Sequence, residues 1–247
     1  MPSSNPVLNP STFYSDLRST PYTESMSVEG TLNKSAILLL CVALTAGWTW
    51  VQFLQQGIAA VTPWMYGGAI AGFVLSLLTV FKKRWAPATA PLYALCEGLF
   101  IGGLSAMLQA SFPGIALQAA LLTFTTLAIM LFSYRSGLIQ LTEKLKLGIV
   151  AATGGIALVY FATMILGFFG IHVPALYGNG VIGIGFSLFV VAIAAFNLIL
   201  DFDFIAQGAR RGLPKYMEWY GAFALMVTLI WLYIECLRLL SKVRSRN

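Results

Sequence analysis

Five carboxylates interrupt otherwise apolar stretches of this sequence, and they are the residues at which chemistry could reside: Glu97, Asp201, Asp203, Glu218 and Glu235. An ionisable group at membrane depth is costly to keep, and one that is kept usually faces a bundle interior or a water-filled cavity. Glu97 lies about two turns into one apolar run. Asp201 and Asp203 close another, Glu218 opens the last, and Glu235 lies near its far end. Asn197 and Asp201 are four apart and share a helical face, whereas Asp201 and Asp203 point about 160° from one another if the helix continues. Asp201 is therefore expected to face inward, with Asn197 as a polar neighbour one turn deeper. Two carboxylates drawn together in a low-dielectric region cannot both ionise cheaply, so a convergence of Glu97, Asp201, Asp203 and Glu218 would act as a pH switch. Protonated, such a pair shares a hydrogen bond; deprotonated, it repels and offers oxygen ligands to a cation. The competing expectation is a set of interfacial acids paired with Arg210, Arg211 and Lys215. Glu235, three residues before Arg238, is expected to form a helix-end ion pair.

Other chemistry finds little support. His172 is the single histidine, so an HExxH metalloprotease site is excluded; no GxSxG or Walker pattern is present, and no GxGxxG follows a strand. Cys41, Cys96 and Cys236 make no CxxC spacing and read as buried small hydrophobes. The sequence is accordingly not expected to encode an enzyme or to require a cofactor. No metal-ligand set is defined.

The elements that must position the acids follow from composition. Of 247 residues, 58% are hydrophobic and 10% charged, and the mean hydropathy is +0.81, far from a soluble domain. Uncharged runs of roughly 20 residues, enough to cross a hydrocarbon core of about 30 Å, recur from Ala36 onward. They are too long for barrel strands, so an all-α integral membrane protein of seven helices is expected. The segments run about 35–55, 63–81, 91–110, 113–133, 147–169, 180–203 and 218–240, with two to four residues of play at each edge. Connections are short, including QQGIAAVTP, KKRWAPATA, SFPG and GIHVPALYGNG, and Pro113, Pro174 and Pro214 mark turns or helix starts. Three units follow: a polar tail over 1–33 without a removable signal peptide, a bundle over 34–241 and a short basic tail over 242–247. Glycines in GLFIGG, ATGGIA and GNGVIGIG are expected to let helices approach closely.

The net charge of +6 sets topology rather than binding nucleic acid, because the basic residues fall in short runs between apolar segments. One side receives Arg18, Lys34, Lys82, Lys83, Arg84, Arg135, Lys144, Lys146, Arg210, Arg211 and Lys215, and the other only Arg238, Lys242, Arg244 and Arg246. That asymmetry favours a cytoplasmic N-terminus, while the four C-terminal charges pull the opposite way. Seven crossings with a basic outer tail is the reading adopted over six crossings with a re-entrant segment.

The stretch NLILDFDFIAQGARRGLPKYMEWYGAFALMVTLIWLYIECLRLL, with PLYALCEGLFIGGLSAML and the opening NPVLNPSTF, resembles the Bax inhibitor-1 (transmembrane Bax inhibitor motif) family, in its bacterial YccA-like branch. The resemblance implies a bundle with a central last helix, located in the bacterial inner membrane, and for some members a pH-sensitive calcium leak. It further implies an acid closing the sixth helix, matched by Asp201, paired with an aspartate in the seventh and latched by an arginine in the second. Thr228 stands where that aspartate is expected, and no basic residue precedes Lys82 in the second segment. Two functions are thus in view. One is a cation leak or channel gated by intramembrane carboxylates. The other is a non-transporting modulator that binds a membrane protein such as a quality-control protease. The lipid bilayer is the expected surrounding, and the sequence sets no oligomeric state.

Overall fold

Without water to satisfy backbone N–H and C=O groups, an apolar chain in hydrocarbon closes those bonds within helices. The computed structural model describes residues 25–170 and 178–246, and in them seven helices are long and apolar enough to cross a membrane. They are α1 (Val28–Gln56), α2 (Ile58–Phe81), α3 (Ala86–Ser111), α4 (Ile115–Arg135), α5 (Glu143–Phe168), α6 (Val181–Arg210) and α7 (Met217–Arg246). His172, Pro174 and most of the expected N-terminal tail, NPVLNPSTF included, lie outside the described residues.

Every helix expected from sequence is present, and most run past the expected ends. The stretch read as the first loop, QQGIAAVTP, contracts to one residue, Gly57, whose φ of 75° lies in the left-handed region open to glycine. Pro63 and Pro91, where the second and third segments are expected to begin, sit inside α2 and α3. In both cases a proline within the second turn removes one backbone bond without ending the helix, because flanking residues such as IAAVT are helix-compatible. α1 starts at Val28, capped by the Ser27 side chain accepting from Gly30 N. The tail boundary therefore falls before residue 34. At the other end α7 continues to Arg246, so residues 242–246 are the last turn of that helix rather than a tail.

α7 is the most buried of the seven and packs on α1, α3, α4 and α6. One of its faces, with Phe223, Met226 and Ile230, meets Leu38 and Val42 of α1 and Tyr93 and Ile101 of α3. The opposite face, with Leu225, Leu229 and Leu232, meets Ile115 of α4 and Leu198 and Phe202 of α6. α2 packs chiefly on α3 and α5 on α6, which makes them outer helices. Large apolar side chains on them, such as Ile70, Phe73, Leu158 and Phe161, are exposed, as suits a lipid-facing surface.

Close helix approach is confined to part of the glycines. A Cβ at Gly102 of α3 would stand 2.7 Å from Ala46 Cα of α1, and one at Gly68 of α2 would stand 2.5 Å from the Cys96 carbonyl oxygen. Gly154, Gly155, Gly180 and Gly185 face open space instead, contrary to the packing expected of ATGGIA. α5 is peripheral and Gly180 precedes α6, whereas Gly183 of GNGVIGIG is buried and its carbonyl oxygen accepts from Lys242 of α7.

Candidate functional site: intramembrane carboxylates

The five acids separate into three that are neutralised and two that are not. Glu218, wholly buried at the start of α7, accepts from Ser27 N at 2.8 Å and Ser27 Oγ at 2.9 Å. It also forms an ion pair with Lys34 and lies 3.4 Å from Lys215 Nζ. Asp203 on α6 pairs with Lys146 of α5 at 3.0 Å and accepts from Gln207 Nε2 at 2.5 Å. Glu235 pairs with Arg238 at 2.9 Å, as expected, and both also meet Tyr160 of α5, whose hydroxyl donates to Glu235 Oε1 at 2.9 Å. Of the basic residues expected as partners near the interface, Lys215 reaches Glu218, whereas Arg211 donates to Gln207 at 3.1 Å. Lys34 and Lys146 carry the remaining pairs. Sequence spacing did not nominate them because each belongs to a helix other than its acid's.

Asp201 is different. It lies on α6 about 14 Å before the helix end at 1.5 Å per residue. Its Oδ2 is buried with no hydrogen-bond partner among the described residues. Its polar neighbour on α7 is the Thr228 hydroxyl, which itself donates to the Ala224 carbonyl oxygen at 3.3 Å. Asn197, expected beside it, is drawn away: its Nδ2 donates to Thr153 Oγ1 of α5 at 2.8 Å and to the Ile193 carbonyl oxygen at 2.9 Å. Four-residue spacing set a shared face on α6, but the nearest acceptors to Asn197 lie on α5 and on its own helix.

Glu97 lies about 17 Å into α3, at a depth comparable with Asp201. It faces α2, where a Cβ at Gly72 would stand 2.8 Å from its Oε1, and Tyr93 and Cys96 are its titratable neighbours. Among the described residues it has no ion-pair or hydrogen-bond partner. The expected convergence of four acids is therefore not formed in this conformation: Asp201 looks to α7, Glu97 to α2, and Asp203 and Glu218 are held by lysines. No group of three or more His, Cys, Asp or Glu residues suited to a metal occurs among the described residues.

Seven apolar helices enclosing unpaired acids define a multi-pass membrane protein with an ionisable interior. A family profile described as "Bax inhibitor 1 like" matches residues 5–245, and the chain belongs to that family. No curated protein and no solved structure matches it.

Proposed function

We propose that this protein is a pH-sensitive cation leak, with Ca²⁺ among the ions it passes, gated by protonation of intramembrane carboxylates. Asp201 is the principal gating group, Glu97 the second, and the chain lies in a bacterial inner membrane with a cytoplasmic N-terminus. The observation that carries this reading is the buried, unpartnered Oδ2 of Asp201 between α6 and α7. Deprotonation there places an uncompensated charge between two helices, at a cost of several kcal/mol. That cost is relieved by admitting water or a cation, or by parting the helices. The positions that hold Glu218, Asp203 and Glu235 in ion pairs leave them a structural role. The orientation rests on the eleven basic residues gathered on the side of the N-terminus.

The modulator reading draws on a different observation. The two cavities floored by Met226 and Leu229 of α7 are lined almost wholly by apolar side chains, and Asp201 lines neither. Calcium flux into proteoliposomes at several pH values, with wild type, Asp201→Asn and Glu97→Gln, separates the two. A pH-dependent flux altered by Asp201→Asn supports the gate. No flux at any pH from folded, inserted protein overturns the leak and favours the modulator.

A further inference from the structure

α1 and α4 both pack on α7, yet they flank an open groove rather than closing on one another. Its deeper part on the N-terminal side has a volume of about 330 Å³ between Leu32 and Leu39 of α1 and Leu127 and Leu131 of α4. This leads, through the shared residues Leu39, Met226 and Leu229, into a second space of about 230 Å³ at mid-membrane. Here the side chains on the walls are small, Ala43 and Ala46 on α1 and Ala120 on α4, and leave the space unfilled. Met226 and Leu229 of α7 form the floor throughout.

Two features specify the occupant. The hydroxyls along the groove are already engaged: Ser35 donates to the Thr31 carbonyl oxygen at 2.9 Å and Thr123 to that of Ala119 at 2.8 Å, while Tyr233 meets Ser105 at 2.7 Å. Apolar spaces with no unmet polar group do not hold ordered water. They are also too narrow for another helix, which is about 10 Å across. At the N-terminal mouth, however, stands the exposed guanidinium of Arg135, with Tyr134 beside it. No carboxylate pairs with Arg135 among the described residues. It closes α4, whose 21 residues span about 30 Å, so it stands at the level of lipid phosphates.

We propose that this groove is a binding site for an anionic phospholipid, one acyl chain lying between α1 and α4 on the floor of α7 and the phosphate held by Arg135. The chain replaces packing that α1 and α4 do not supply to each other, and the guanidinium offers a planar donor fork to phosphate oxygens. This site is independent of the carboxylate gate, since neither Asp201 nor Glu97 lines it.

The test reconstitutes the full chain in vesicles containing phosphatidylglycerol that carries a photoreactive group midway along one acyl chain, and maps the adducts by peptide mass spectrometry. Wild type is expected to concentrate label on residues 35–46 of α1, 120–131 of α4 and the Met226–Leu229 floor. Ala43→Phe or Ala120→Phe, each filling the groove from a different wall, should lower that labelling to the level on α2 and α5. Arg135→Gln should reduce it about fivefold for phosphatidylglycerol and by less for phosphatidylcholine, whose choline offsets the phosphate charge. Circular dichroism and monodisperse elution select the variants that fold. Label spread evenly over all lipid-facing helices in wild type, or unmoved by either groove-filling variant that folds, would mean annular lipid only and would overturn the site.

Discussion

Asp201 and Thr228 form the contact on which pH dependence should turn. Asp201→Asn retains shape and removes the charge, so its melting temperature in detergent is expected to vary less between pH 5 and pH 8 than that of wild type. An unchanged pH profile would remove Asp201 from the titrating set. Thr228→Asp sets a second carboxylate against the first. At acid pH the pair can share a proton-mediated hydrogen bond, and as pH rises the two charges repel. The variant should therefore lose stability relative to wild type as pH rises, a shift read from the same melting curves. Glu218 behaves as a tether: Glu218→Ala strands Lys34 and removes the acceptor for Ser27, which should cost about 3 kcal/mol. The sequence made all five acids visible as candidates, and Arg238 and Lys215 as partners close in the chain, but not the partners that lie on other helices. Nothing in the spacing of Lys34 and Glu218, or of Lys146 and Asp203, announces that they meet.

Helix contacts in hydrocarbon depend on shape, since apolar side chains gain little by leaving lipid for one another. GLFIGG and ATGGIA have similar composition and opposite environments, which makes a direct comparison possible. Gly102→Val drives a side chain into the α1 backbone at Ala46 and should destabilise by about 3 kcal/mol, given that its Cα neighbour cannot rotate away. Gly155→Ala enters open space and should change stability by no more than about 0.5 kcal/mol. Unfolding of both variants in a graded denaturing detergent checks the contrast. Equal effects would show that the α1–α3 approach is not limited by backbone contact. A small-residue motif thus reports a helix that can be approached, and only its position in the bundle decides whether one is.

Across the whole molecule, three of the four basic residues at the C-terminal end take part in helix packing. Arg238 is held by Glu235 and Tyr160, and Lys242 is buried, donating to the Gly183 carbonyl oxygen at 3.0 Å and to Ser187 Oγ at 2.9 Å. Arg244 donates to the Pro113 carbonyl oxygen at 2.6 Å and to Gln118 at 2.9 Å. These three charges bind α7 to α4, α5 and α6. If the N-terminus is cytoplasmic as proposed, a membrane-impermeant maleimide applied to intact spheroplasts should label Arg246→Cys and not Lys144→Cys, with both labelled after lysis. The reverse pattern would invert the orientation.

Span length, helix number and the presence of intramembrane acids were legible in the sequence because hydrocarbon thickness and backbone hydrogen bonding act on each segment separately. They depend on residues close together in the chain. The central place of α7 was expected only from the family resemblance. Which acids are neutralised, which glycines touch a backbone and where a groove stays open are relations between helices. Only tertiary packing decides these, because Lys34 and Glu218, or Gly102 and Ala46, become neighbours when the bundle closes and at no earlier stage.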